Sequence, residues 1–227
     1  MTESHPSLGL AQLSLVALFV TALITAQVTA SKVVAIDLPI VLPATGSEIL
    51  VPAAVFAYAL TFFASDCYTE LYGKRAAQAL VNVAFAMNFV LLALIWLAIA
   101  APIFAGSPVG QEPFAETLGA STGIVAGSLL AYLVSQNWDV IVFHRIRRYT
   151  DTRYLWFRNI LSTATSQLID TAIFITVAFL VFQGMPVPDV VALAVGQYLF
   201  KLALVGFDTP FVYLVVGAIR RIDGVPS

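Results

Sequence analysis

Residues 157–182 read FRNILSTATSQLIDTAIFITVAFLVF, an apolar run broken by Asn159, Thr163, Ser166, Gln167 and Asp170. Counted from Asn159, offsets of four, seven, eight and eleven residues put all five on one face of a helix. A run this long and apolar reads as a membrane span, and a carboxylate halfway along a span is costly unless it faces protein, water or a solute. The row is therefore the first candidate for a solute site, and the fold depends on how many such spans surround it.

The 227 residues are 60% hydrophobic and 11% charged, with a mean hydropathy of +0.92. That composition excludes a water-soluble domain of this length. Apolar segments leave no room for a soluble unit, so the expectation is an all-α polytopic membrane protein, a single domain over residues 1–227 with six transmembrane helices. Their expected limits are Leu8 to Ser31, Ile49 to Ser65, Arg75 to Ala101, Thr117 to Phe143, Phe157 to Phe182 and Pro188 to Ile219.

Charge placement sets the topology. Lys74 and Arg75 follow the second span. Arg145, Arg147, Arg148 and Arg153 follow the fourth, with Arg158 just inside the fifth, and Arg220 and Arg221 follow the sixth. Nine of the eleven basic residues thus share one side, while the opposite connections hold only Lys32. By the positive-inside rule both termini are cytoplasmic, and this account of the basic residues removes the case for a nucleic-acid partner. Val28-Thr29-Ala30 resembles a signal-peptide cleavage site, but no basic segment precedes the apolar run, so a retained helix is expected. One cysteine, Cys67, excludes an intramolecular disulfide, and two histidines, His5 and His144, offer no transition-metal centre; no cofactor is expected.

Pro39, Pro43, Gly46 and Pro52 break the segment after the first span, so Val33 to Leu42 is too short to cross and is expected at, or dipping into, the outer surface. The last span contains Gly206-Phe207-Asp208-Thr209-Pro210, where Pro210 cannot donate to the Gly206 carbonyl, so a kink or break is expected.

A rise of about 1.5 Å per residue converts position into depth. Measured from the outer ends of their spans, Asp170 and Lys201 both lie roughly 18 to 20 Å into a core about 30 Å thick. Asn88 falls near the same level, and Gln197 lies one turn outward of Lys201 on the same face. A group nearer the cytoplasm comprises Asp66, Glu70, Gln136, Asn137, Asp139, Arg158, Asn159 and Asp208. Structural roles compete at each place: Glu70 pairs with Lys74 at i, i+4, Asp139 with Arg158, and Asp170 with Lys201 as a bridge that locks the bundle. Several further donors and acceptors at the depth of Asp170 favour a polar cavity.

Four signatures occur in order along the chain: Ser65-Asp66-Cys67-Tyr68-Thr69-Glu70-Leu71-Tyr72-Gly73; Gln136-Asn137-Trp138-Asp139-Val140 with Phe143 and Arg145; Arg158-Asn159 through Ser166-Gln167-Leu168-Ile169-Asp170-Thr171; and Lys201. Together they resemble the queuosine precursor transporter family, also called the vitamin uptake transporter family, over nearly the whole chain. The resemblance implies a multi-pass protein of the cell membrane that imports a 7-deazaguanine, 7-cyano-7-deazaguanine or its aminomethyl relative, for transfer-RNA modification. A guanine-like edge presents N–H donors beside a carbonyl acceptor. Asp170 or Asp139 suits the donors, and Gln167, Gln136, Asn159 or Lys201 the acceptor. Asp170, Gln167, Lys201, Asn159, Arg158, Gln136, Asp139 and Ser166 are accordingly the expected binding residues. Asp66, Glu70 and Asp208 are the expected gating or coupling residues.

Two other readings stay open from the sequence. Ala22, Ala26 and Ala30 form a stripe that either packs internally or docks a partner helix of an energy-coupling complex. An intramembrane enzyme would use Asp66, Glu70 or Asp139 as acid or base, although no metal cage or Ser/Cys-His pair supports it. No phosphate-binding Gly-rich loop precedes a Lys-Ser or Lys-Thr pair, so ATP is not hydrolysed by this chain itself. Homo-oligomers and lipid contacts are compatible with everything above.

Overall fold

A computed structural model of the chain describes residues 9–42, 46–150 and 155–223. Its elements are α1 (Leu10–Thr29), a hairpin of β1 (Val33–Leu42) and β2 (Gly46–Pro52), α2 (Val55–Tyr72), α3 (Lys74–Ala100), α4 (Gln111–Gly119), α5 (Ser121–Thr150), α6 (Leu155–Ile175) continued by a π-helical turn (Thr176–Val181), and α7 (Val187–Asp223). Among the described residues five helical segments are long and apolar enough to cross a membrane; the eighteen-residue α2 is not among them. The molecule is an all-α polytopic membrane protein with one small hairpin.

Solvent logic is inverted on its outside. Phe89, Leu94, Trp96, Leu97, Leu133 and Leu214 are exposed on helix flanks, a pattern that only lipid satisfies over so much surface. Inside, two clusters hold the bundle. Leu15, Phe19, Ala64, Cys67, Leu80 and Val212 join α1, α2, α3 and α7. Ala26, Ala30, Ile124, Ala131, Ile175, Phe179 and Leu193 join α1, α5, α6 with its π turn, and α7. Small residues let these helices approach: a Cβ on Gly127 of α5 would lie 3.1 Å from the Phe174 carbonyl oxygen of α6. Ala22, Ala26 and Ala30 are buried in this packing, so the stripe on α1 serves the protein's own core and presents no docking face.

Cross-contacts order the helix ends. Gln12 near the start of α1 donates to the Tyr68 hydroxyl near the end of α2 (3.0 Å). Gln78 early in α3 donates to the Tyr132 hydroxyl of α5 (2.6 Å), and Trp96 late in α3 to the Thr122 hydroxyl early in α5 (3.1 Å). Arg220 reaches the Glu70 carbonyl. Lys74, Arg75, Arg145 and Arg220 therefore lie at one end of the bundle, and the hairpin and α4 at the other.

Three expectations are corrected. Ile49–Pro52 is not the start of the second span: it belongs to β2, which pairs antiparallel with β1 from Val33↔Pro52 to Asp37↔Glu48, and α2 begins at Val55. A short, β-branched apolar run reads equally as helix or buried strand. Glu70 and Lys74 do not share a helical face, because Gly73 at φ 84° and ψ 161° ends α2 and starts α3 between them. Of the kink or break expected at Pro210, the break is absent, since α7 runs on through it as one helix; the side chains of residues 205–209, Asp208 among them, lie outside the described residues.

The hairpin is inserted rather than laid on the surface. Val51 and Pro52 are fully buried, and the Leu50 carbonyl lies against Gly196 so closely that any Cβ there would collide with it. Gly196 is nine residues into α7, which places the base of the hairpin roughly 13 Å along that helix from its first turn. Non-helical backbone at such depth is tolerated because the two strands satisfy each other and are covered by protein.

A cavity at mid-bundle as the candidate functional site

α1, α2, α5, α6 and α7 converge beneath the hairpin on a cavity of about 60 Å³, where roughly 10–15 Å³ suffices for one water. Its wall is mostly apolar, with Ala26, Ala30, Pro52, Val55, Ile124, Ala131 and Leu204. Aromatic residues Tyr58, Phe62, Phe85, Tyr132, Phe174 and Phe200 surround it, and Gln27, Ser128, Asp170, Gln197 and Lys201 supply polar groups. A mainly apolar concavity with a few convergent polar groups is the usual form of a small-molecule site.

Asp170 of α6 and Lys201 of α7 meet here. Lys201 Nζ donates to Asp170 Oδ2 at 2.7 Å, and the side chains are 7% and 17% exposed, respectively. Ser135 Oγ, from α5, donates to Asp170 Oδ1 at 3.4 Å, and Lys201 Nζ stands 5.5 Å from the centre of the Tyr58 ring. A charge-assisted hydrogen bond and a ring face thus compensate two charges taken far from water. Such a pair is strongly held only while both members are present, because removing one leaves the other buried and uncompensated. Tyr58 is in turn wedged edge-on against Phe62, with centroids 5.3 Å apart.

The other polar groups are amides and hydroxyls. Gln27 of α1 is 2% exposed and its Oε1 accepts from Ser128 Oγ of α5 at 3.4 Å. Gln197 of α7 is 7% exposed, and its Oε1 is buried with no hydrogen-bond partner among the described residues. Tyr132 stacks on Phe85 at 4.4 Å between centroids while Gln78 holds its hydroxyl. Among the described residues no three His, Cys, Asp or Glu side chains come together as metal ligands.

Residues 52–215 match the family model described as "Putative vitamin uptake transporter". The chain belongs to the vitamin uptake transporter family. It is also 38% identical over 160 residues to the "Probable queuosine precursor transporter" of Bacillus subtilis strain 168, a match that covers 69% of this chain and 67% of the relative. No solved structure matches it. The protein is a transporter of the multi-pass membrane class and not an enzyme.

Of the transporter's expected binding residues, Asp170 and Lys201 are brought together at the cavity. Ser166, Gln167, Gln136 and Asp139 are not among its lining residues. Ser166 is buried and donates back to the Thr163 carbonyl at 3.0 Å, Gln167 is half-buried off the cavity with its Oε1 unpartnered among the described residues, and Thr163 is exposed, so the row on α6 faces several environments. Gln136 is exposed. Asp139, one turn past Ser135 toward the basic end, has a buried Oδ1 without a partner among the described residues; the side chains of Arg158 and Asn159 lie outside them. Asp66 and Glu70 sit near the end of α2, and Glu70 faces Arg220 at 3.8 Å rather than Lys74.

Sequence reasoning missed Gln27, Tyr58, Ser128 and Tyr132. Gln27 had a signal of its own, being a carboxamide within the apolar first span. Tyr58 was obscured because the second span was begun at Ile49, which displaced its depth.

Proposed function

We propose that this transporter imports a queuosine precursor of the 7-deazaguanine class, 7-cyano-7-deazaguanine or its aminomethyl relative, and that the solute occupies the cavity beside Asp170 and Lys201. The observation that carries the reading is the compensated ion pair in the wall of an otherwise apolar, aromatic-lined cavity at mid-bundle. Flat heterocycles suit such walls, since ring faces stack on aromatic side chains while ring edges need fixed donors and acceptors. The name of the Bacillus subtilis relative supports the solute class.

Both termini are assigned to the cytoplasm on the positive-inside rule, which makes the hairpin the outer cover and the Glu70–Arg220 contact part of an inner gate with Asp66. The energy-coupling reading loses its support, because the small-residue stripe of α1 is buried within the protein. Uptake of labelled 7-cyano-7-deazaguanine by cells unable to make it, with and without this protein, tests the proposal. Accumulation only with the protein is expected, and equal accumulation in both rejects it.

A further inference from the structure

Two features of the cavity remain unused once the ion pair is accounted for. Asp170 has a partner on each oxygen, Lys201 on one and Ser135 on the other, and Lys201 is shared between the carboxylate and the Tyr58 ring. The pair is committed to itself. Gln197 and Gln27 are not. Gln197 Oε1 is an orphaned acceptor in a side chain more than nine-tenths buried that lines the cavity, and orphaned buried acceptors are uncommon enough to demand a reason. Gln27 lines the same cavity and, with its Oε1 occupied by Ser128, can serve a ligand there only as a donor, through its amide N–H groups. One glutamine thus supplies an unpaired acceptor and the other amide donors, from α7 and α1.

We infer that Gln197 and Gln27 are the residues that read the solute, clamping the lactam edge of a planar heterocycle: the ring N–H donates to Gln197 Oε1, and Gln27 donates to the adjacent ring carbonyl. Asp170 and Lys201 position the wall around that edge and need not break their bond to do so. The inference rests on the cavity being the solute site. It assigns specificity to α1 as well as α7, and Gln27 lies before the segment matched by the family model. A site built to hydrogen-bond a polar edge rejects a molecule lacking it by large factors, because its own buried groups are then left unpaired.

Binding is measured on the purified full-length protein in detergent with two probes: 7-cyano-7-deazaguanine and its O6-methyl ether, which lacks both the ring N–H and the carbonyl of the edge. The intact protein is expected to prefer the first by roughly a hundredfold or more. In Gln197→Leu that preference falls below about tenfold while melting is unchanged or higher, since an unsatisfied buried amide has been removed. Gln27→Leu is tested together with Ser128→Ala, which removes the hydroxyl that would otherwise lose its acceptor, and the same fall is expected. Met replaces Leu at either position where the first variant does not accumulate. Retained preference in folded variants, with or without lowered melting, overturns the clamp and leaves the transport reading intact. Equal affinity of the intact protein for both probes also overturns only the clamp. Binding of neither probe rejects the 7-deazaguanine reading and the clamp with it.

Discussion

Asp170 and Lys201 illustrate how one contact serves opposite accounts. A 2.7 Å bridge between nearly buried groups suffices to lock α6 to α7, and its place in the cavity wall suits a solute. Substitutions separate the two. Asp170→Asn is expected to abolish or severely reduce uptake at comparable membrane abundance, because it conserves volume and removes only the carboxylate. It also leaves Lys201 uncompensated, so melting in detergent should fall, by about 3–5 kcal/mol if the ammonium stays charged. The double variant Asp170→Asn with Lys201→Gln removes both charges; recovery of melting without recovery of uptake is expected, and restored uptake would reduce the pair to a structural bridge.

Two glycines decide how elements join. Gly73, at φ 84° and ψ 161°, occupies a region that only glycine enters freely, and this is how the chain turns from α2 into α3 within one residue. Gly73→Ala should cost about 1–3 kcal/mol of stability, read as lowered melting, while Gly9→Ala, at φ -59° in open space, should not. Gly196 acts by absence of volume. A side chain there would push the Leu50 carbonyl and with it the base of the hairpin out of the bundle. Gly196→Val is expected to reduce both uptake and thermal stability, by about 1–3 kcal/mol for the latter. A normal melting temperature for this variant would show that the hairpin does not need its seat on α7.

The whole molecule is polarised along its axis. Exposed Asp37, Glu48, Glu112 and Glu116 lie at the hairpin end, and Lys74, Arg75, Arg145 and Arg220 at the other. With the basic end cytoplasmic, Arg145→Cys should be unreactive toward an impermeant thiol reagent in intact cells, and Ser107→Cys, in the connection before α4, should react. The buried Cys67 keeps the background low. Reaction at position 145 in intact cells would invert the topology.

Depth and charge asymmetry were legible from the residues alone, because a helix rises by a constant amount and lipid tolerates few charges: Asp170 and Lys201 were placed at one level and do meet. Helix limits lie within a few residues of the expected spans except at the ends of α2 and α5, which run past Ser65 to Tyr72 and past Phe143 to Thr150, and where Ile49–Pro52, short and β-branched, left strand and helix indistinguishable. What the tertiary structure alone decided is which way each helix turns its faces. Lipid tails are as apolar as the protein's own core, so hydrophobicity does not mark the inward side of a span as it would in water. Close packing through Ala26, Gly127 and Gly196 sets those rotations instead. It brings Gln27, Tyr58, Tyr132 and Gln197 to the cavity while turning Ser166 and Gln167 away from it.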